Sequence, residues 1–535
     1  MSLPDRNNPY SFDAFLEALN GFDFYLDNPF VQRAVKHFVG EEWPQLHGKL
    51  KAFSSKLSFR WKDLADHVGR PELRPYIEHY DAHRHRVDRI VRPGESKILE
   101  KEITSEALFS EKTTAWEQFG KQCLLHQIGE AGIMCPMGCT EGLIAISQAF
   151  VDQSHPEVRR ILEHCKEGID GEFGLGAQFM SEIQGGSDIP SNLVEAVPEG
   201  DHYRIYGNKF FCSAAHTDYT VITAKVTGTD QEGTFVIPSW LPGNKEKEIR
   251  NDYRIVRLKR KLGTVEVPTA EIDFDGAVAY AVGPTDRGVA NAVGIVLTLS
   301  RITVGASSAA FMMRAAREAM LYSEFRDVFG AKISQFPMAA GPLRYLIYDL
   351  FIRQGRHLQG GLPAGGSPEE RKERFNLREL IILQKLCSAH EAVDVIRKAM
   401  SIFGGHGVME DFSSLPRLFR DSTVNELWEG PKNVLLMQVF RDLERVSPWY
   451  PPREFVADIL DRADQDFVDN MADVLEDFLN KPPFVEINPE SIERAARWDA
   501  FCGQLFKAYQ EQALEEIGKV PVISQDKSSQ YWLWV

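Results

Sequence analysis

Apolar residues recur at three- and four-residue spacing from Tyr10 to about Cys165, as in Phe12, Phe15, Leu16 and Leu19, and again in Leu143, Ile146 and Phe150. That spacing predicts a mostly helical first section. One break falls at Arg84-His-Arg-Val-Asp-Arg-Ile-Val91, which reads as a short extended connection. The texture changes at Gly171. From there to about Val282, β-branched and aromatic runs are bounded by Gly, Asn and Pro, and Tyr203–Tyr206, Tyr219–Val226, Thr234–Pro238 and Ala270–Phe274 read as strands. Glu199-Gly-Asp and Tyr206-Gly-Asn-Lys carry hairpin-turn chemistry.

Helical spacing resumes after Gly288, most clearly over Val289–Tyr322, Pro342–Leu358 and Leu377–Phe403, with a loop expected at Gly360-Gly-Leu-Pro-Ala-Gly-Gly-Ser-Pro. Beyond Ser447-Pro-Trp-Tyr-Pro-Pro, residues Phe455, Ile459, Ala463, Phe467, Met471, Val474 and Phe478 form one predicted stripe among many Asp residues. The stripe is expected to pack on the main body. Helices, strands and helices follow one another in blocks, so an α+β class with stacked domains is expected. The divisions are 1–172 (helical), 173–286 (β), 287–446 (helical) and 447–535 (a helical extension). No Gly-x-Gly-x-x-Gly follows a strand, so a Rossmann site is not supported.

Composition narrows the function classes. At 535 residues, two to four domains are expected. The net charge of -16, with 19 Asp/Glu against 10 Lys/Arg from Arg441 to Val535, disfavours a nucleic-acid partner. The longest apolar candidate, around Val293–Leu299, stops at Ser300-Arg301 and is too short to span a bilayer, so no membrane association is expected. The first residues lack a secretory pattern, which points to a cytoplasmic setting. Seven cysteines argue against a disulfide scaffold, and Cys135 and Cys139 with His126 lack the further ligand pair a metal site would need, so no metal is expected.

Four segments carry candidate chemistry. Gln178-Phe-Met-Ser-Glu-Ile-Gln-Gly-Gly-Ser-Asp188 offers exposed backbone N–H groups and two hydroxyls, though Gly-Gly-Ser also serves as an ordinary turn. Gly207-Asn-Lys-Phe-Phe-Cys-Ser213 carries an aromatic pair and a hydroxyl, or is simply a buried hairpin. Arg326-Asp-Val-Phe-Gly-Ala-Lys-Ile-Ser-Gln-Phe-Pro337 places an Arg at a helix end, either to reach a pyrophosphate or to sit in solvent. The last is Ile402-Phe-Gly-Gly-His-Gly407 followed by Arg420-Asp-Ser-Thr-Val-Asn-Glu-Leu-Trp-Glu-Gly-Pro-Lys-Asn433. Its Glu429, at a bend beside a large ring, becomes a competent base if burial raises its pKa; otherwise it is a surface turn.

In order and spacing these segments resemble the acyl-CoA dehydrogenase superfamily, in its AidB-like branch; Tyr80-Asp-Ala-His-Arg-His-Arg-Val-Asp supports that branch. The resemblance covers roughly residues 60–445 and, more loosely, the tail. It implies an N-terminal helical domain, a central β-domain, a C-terminal four-helix bundle and a helical extension. It also implies FAD as cofactor, an acyl-CoA substrate, an electron-transferring flavoprotein as partner, and a homodimer or homotetramer.

By the same resemblance, Phe179, Met180, Ser181, Gly186 and Ser187 contact FAD, with Ser187 also near the pantetheine arm. Phe211, Cys212 and Ser213 lie against the isoalloxazine ring. Arg326 and Phe329, with Gly404 and Gly405 beside them, reach a neighbouring subunit's FAD, and Pro431 and Asn433 adjoin the cofactor. Glu429 is the catalytic base, Gly430 follows it at the substrate, and Arg301 lies near CoA. The alternative base position preceding that Arg holds Ser300, which cannot serve unaided. Ser401, Pro431 and Val265 depart from the family pattern. The implied chemistry is α,β-desaturation, with Glu429 taking the α-proton and hydride passing to flavin. Enoyl-CoA reduction, acyl-CoA oxidation, a DNA-associated stress flavoprotein and an FAD protein without turnover remain as rivals.

Overall fold

The computed structural model describes residues 10–336, 367–484 and 487–518. The expected helix over 342–358 and most of the expected loop at 360–368 lie outside them.

Eight helices form the first section: α1 (Asp13–Asn20), α2 (Pro29–Val39), α3 (Trp43–Ser55), α4 (Lys62–Val68), α5 (Gly94–Thr104), α6 (Ala115–Leu125), α7 (Ala131–Ala149) and α8 (Pro156–Lys166). The segment read as a plain extended connection is instead half of a hairpin, β1 (Tyr76–Tyr80) paired antiparallel with β2 (Arg86–Val91). Asp81, which accepts from the backbone N–H groups of His83 and His85, ties its turn.

Seven strands follow: β3 (Gly176–Phe179), β4 (Glu195–Glu199), β5 (His202–Cys212), β6 (Tyr219–Val226), β7 (Glu232–Pro238), β8 (Tyr253–Leu258) and β9 (Ala270–Ala281). β6, β4, β5, β9 and β7 pair in that order, and β7 pairs back onto β6, so the sheet closes on itself, with β3 on β6 and β8 on β9. Closure removes most free edges. Phe235, Ile222, Ile205 and Ala277 fill its interior, while Val221 and Val236 pack outward with Leu143 of α7 and Ile161 of α8. Glu199-Gly-Asp is the β4–β5 turn, as expected. Tyr206-Gly-Asn-Lys is not a hairpin: it lies inside β5, where the register with β9 shifts after Ile205 and Gly207 takes φ +120°. A bulge and a turn use the same residues, and only pairing distinguishes them.

The next helical section contains α9 (Gly288–Asn291), a π-helical turn at Ala292–Leu297, α10 (Thr298–Phe325), a two-residue hairpin β10 (Asp327–Val328) and β11 (Ala331–Lys332), then α11 (Pro368–Phe403), α12 (Leu415–Asn425) and α13 (Lys432–Val446). Ser367 and Glu370 form a capping box at the start of α11. The stretch Thr285–Phe325 is long and apolar enough to cross a membrane by length and composition. The expected apolar candidate, Val293–Leu299, is only part of it, because much of its apolar character is spread among Ala, Gly and Met. Every residue from Val304 to Ala319 is buried against neighbouring protein.

The stripe predicted across 455–478 belongs to two helices, α14 (Pro452–Ile459) and α15 (Gln465–Asn480). Asp464 caps the second by accepting from the N–H groups of Asp466 and Phe467, and Phe467 is exposed. The chain breaks where the spacing happened to continue. With α16 (Pro489–Gly518) these helices bury Phe478, Trp498 and Phe506 against Leu383, Leu436 and Phe440. A side chain such as Phe478 contributes roughly 1.5–3 kcal/mol when fully buried. α16 also returns to the first section, where Glu516 pairs with His37 at 2.9 Å.

Candidate active site

The α12–α13 connection is where backbone and charge are most tightly specified. Glu429 has φ +58° and Gly430 φ +110°. A glutamate in the left-handed region costs on the order of 1 kcal/mol and persists only when its surroundings fix it. Two buried cations do so. Lys385 of α11 donates from Nζ to the carbonyls of Glu426 (2.9 Å) and Gly430 (2.7 Å). Arg301 of α10 donates from Nε to the carbonyl of Glu429 (3.2 Å) and from Nη2 to Gln438 (3.1 Å). Lys385 Nζ and Arg301 Nε are thus spent on main-chain oxygens, which holds the bend.

The Glu429 carboxylate meets Gln178 at the end region of β3, whose Nε2 lies 2.9 Å from Glu429 Oε1 and 3.0 Å from Ser300 Oγ. Burial raises the Glu429 pKa above the usual carboxylate range, against the opposing pull of Arg301, Lys385 and Gln178. Burial likewise brings Lys385 down to about 8, still charged at neutral pH.

Glu429 and Trp428 line a cavity between α7 and α10. Cys135 and Cys139 are on one wall, and Ser300, Thr303 and Ser307 on the other. The helices approach closely at Gly138, where a Cβ would lie 3.0 Å from Thr303 Cγ2. His126 and Phe311 also line it; Phe311 is about 16 Å along the α10 axis from Ser300.

The loop before β4 is held by a buried pair, Lys209 Nζ to Glu182 Oε1 at 2.9 Å, and by the main-chain bond from Phe210 N to Ser181 O. Ser181 is half-buried, and Gly186 and Ser187 are exposed, with Gly186 so close to Ser181 Oγ that a Cβ there would collide. Phe211 is exposed, and Lys259 sits over its ring at 4.6 Å. Ser213 Oγ is 3.2 Å from Thr269 Oγ1. Phe179, Met180 and Cys212 are in the core, so only their main chain is available to a ligand. Pro431 caps α13 and Asn433 is exposed in its first turn.

The remaining predicted residues are elsewhere. Arg326 ends α10, stacked on Tyr10 at 4.3 Å; Phe329 is fully exposed with φ +51°. Gly404 and Gly405 follow α11, and Tyr322 joins the two segments by stacking on Phe403 and bonding His406 Nδ1 at 3.0 Å. About 39 Å of α10 axis separates Ser300 from Arg326. One chain therefore assembles two clusters, at opposite ends of one helix.

The sequence profile described as "Acyl-CoA dehydrogenase, C-terminal domain" matches residues 286–444. "Acyl-CoA dehydrogenase family member 11" of Caenorhabditis elegans is 30% identical over 441 residues, covering 78% of this chain and 70% of that protein. The chain belongs to the acyl-CoA dehydrogenase family. "Putative acyl-CoA dehydrogenase AidB" of Escherichia coli is 27% identical over 70% of each chain, which agrees with the AidB-like character read from the motifs. The structure of Caenorhabditis elegans ACDH-11 in complex with C11-CoA matches with a TM-score of 0.77 at 24% identity, over 95% of this chain and 92% of that one. This acyl-CoA dehydrogenase thus has the family's α+β fold.

Sequence reasoning left Gln178 and Lys385 without roles. Gln178 opens a quoted motif, but nothing in a sequence reveals that its amide meets a carboxylate 251 positions away. Lys385 stands in an apolar run and looked like an ordinary helix lysine. Arg301, expected near CoA, is buried against the Glu429 backbone, where it positions the bend.

Proposed function

We propose that this acyl-CoA dehydrogenase removes the α-proton of an acyl-CoA thioester with Glu429, in an α,β-desaturation for which FAD would supply the redox chemistry. The observation carrying this reading is Glu429 itself: a carboxylate in a cavity, on a left-handed bend, with two buried cations fixing its backbone. Its pKa is raised by burial against the pull of Arg301, Lys385 and Gln178, the direction that strengthens a carboxylate as a proton acceptor. Gln178 holds Oε1, and Glu429 is half-buried where the cavity walls on α7 and α10 meet it.

The family is FAD-dependent, and the exposed Phe211 ring, the tight Ser181–Gly186 contact and the Ser213–Thr269 hydroxyl pair fit a flavin laid against the β5 end. Phe211, Ser181, Ser187 and Ser213, with Asn433, are the residues that would hold it. When bound, FAD supplies the hydride acceptor. Arg326, Phe329, Gly404 and Gly405 lie too far along α10 to join that site in their own chain. Their place supports a homo-oligomer in which they complete a neighbour's site. An electron-transferring flavoprotein as electron acceptor belongs to the same reading.

Anaerobic titration of the purified protein with a panel of acyl-CoAs tests it. Yellow protein whose flavin absorbance bleaches on addition is expected; protein that neither carries nor takes up flavin overturns the proposal. Rapid reoxidation of reduced protein by air would replace the flavoprotein partner with oxygen.

A further inference from the structure

His126 sits in the short turn between α6 and α7, 2% exposed, and lines the cavity; Arg314, about 21 Å along the α10 axis from Ser300, bonds the carbonyls of the same turn. Among the described residues its ring makes no hydrogen bond, and Nδ1 is fully enclosed without one. The cavity hydroxyls of Ser300, Thr303 and Ser307 are committed. Ser307 Oγ donates to Val304 O and accepts from Asn425 Nδ2, and Ser300 is tied to Gln178. The turn that carries the imidazole is held at its main chain. Arg314 Nη1 donates to the carbonyls of Gln127 (3.3 Å) and Ile128 (2.7 Å), and Arg417 Nη2 to that of Ile128 (2.9 Å). Asp66 binds both guanidinium groups. A buried polar ring without a partner is costly, and native structures rarely tolerate one unless a ligand or water meets it.

We infer that the enzyme's substrates are acyl-CoA thioesters whose acyl chain carries an uncharged oxygen (hydroxyl, keto or ether) toward its far end, received by His126. The inference rests on the reading that this cavity takes the acyl group. Burial pushes the His126 pKa down to about 3, so the ring is neutral, and with Nδ1 enclosed it is Nε2 that is left to meet a ligand, as donor or acceptor by tautomer. A neutral ring with no free cation beside it suits an uncharged oxygen and disfavours a terminal carboxylate, which would lose its hydration without gaining a counter-charge. A plain hydrocarbon chain would leave the imidazole unmet, and sites built around a hydrogen bond reject analogues lacking it far more strongly than apolar pockets reject an added methylene.

The test is calorimetric binding of two non-reacting CoA thioethers of equal length, S-alkyl-CoA and its ω-hydroxy counterpart, to the flavin-loaded protein. The hydroxylated ligand is expected to bind roughly ten- to a hundredfold more tightly. His126→Leu should reverse that order, and His126→Asn, which keeps hydrogen-bonding capacity, should retain most of it. The wild-type ratio decides even if His126→Leu fails to fold. Equal binding of both ligands, or a ratio unchanged in His126→Leu, overturns the inference and leaves the proposed function standing. Binding of neither, with no bleaching by any acyl-CoA, overturns both.

Discussion

The two ends of α10 are built on opposite plans. At the Ser300 end the chain completes its own arrangement: a strained glutamate, two buried cations on its flanking carbonyls, and an amide on its carboxylate. At the Arg326 end it leaves a fully exposed phenylalanine on a left-handed residue beside a glycine pair with open space around it. An exposed Phe with φ +51° gains nothing for an isolated chain. The contrast teaches that one cluster is organised by folding, while the other is left open to solvent, as the proposed homo-oligomer would require.

The largest expected effect falls on the complete end. Glu429→Gln should retain flavin and lose about 10²–10⁴-fold in the rate of flavin bleaching, the range a positioned base supplies; stopped-flow absorbance checks it, and undiminished bleaching would remove Glu429 from the mechanism. Next is Lys385→Met, which leaves the carbonyls of Glu426 and Gly430 unpaired at a cost of about 1–3 kcal/mol. The Lys385 charge holds the Glu429 pKa down. Removing it raises that pKa, so the acid limb of the pH–rate profile should move to higher pH, with more activity lost at neutral than at alkaline pH. An unmoved limb would reduce Lys385 to a packing residue.

At the open end, Phe329→Asp should weaken self-association about tenfold or more, seen by sedimentation, while the Glu429 end stays intact; identical sedimentation would deny that this surface is shared. The smallest effect belongs to neither end. Burial raises Glu141 to about 7 despite bonds from Gln118 and Gln122. A raised carboxyl pKa stabilises the fold only below the ordinary value near 4.5, and that contribution is lost as pH climbs through about 7. Glu141→Gln should therefore gain a few degrees in Tm over wild type at pH 8 and little at pH 5; a constant difference would contradict the burial.

What the sequence could reveal follows the same divide. Short β-branched runs announced most of the strands, because a half-buried pleated surface selects those side chains locally. Glu429 and Arg326 were found because each lies in a contiguous motif. Gln178, Lys385 and His126 were beyond reach as partners, since their roles depend on contacts between elements far apart in the chain. The β5 bulge and the α14–α15 break were misread because spacing alone cannot show where hydrogen-bond pairing shifts or stops. The apolar extent of α10 escaped because small residues distribute hydrophobicity thinly.

The left-handed backbone at Glu429 has one further consequence. Judged by main-chain comfort alone, position 429 asks for glycine or asparagine, the residues that enter that region at least cost. Optimising this chain for thermal endurance by local backbone preference would therefore erase the proposed base first, since endurance and the proposed reactivity make opposite demands on one α-carbon.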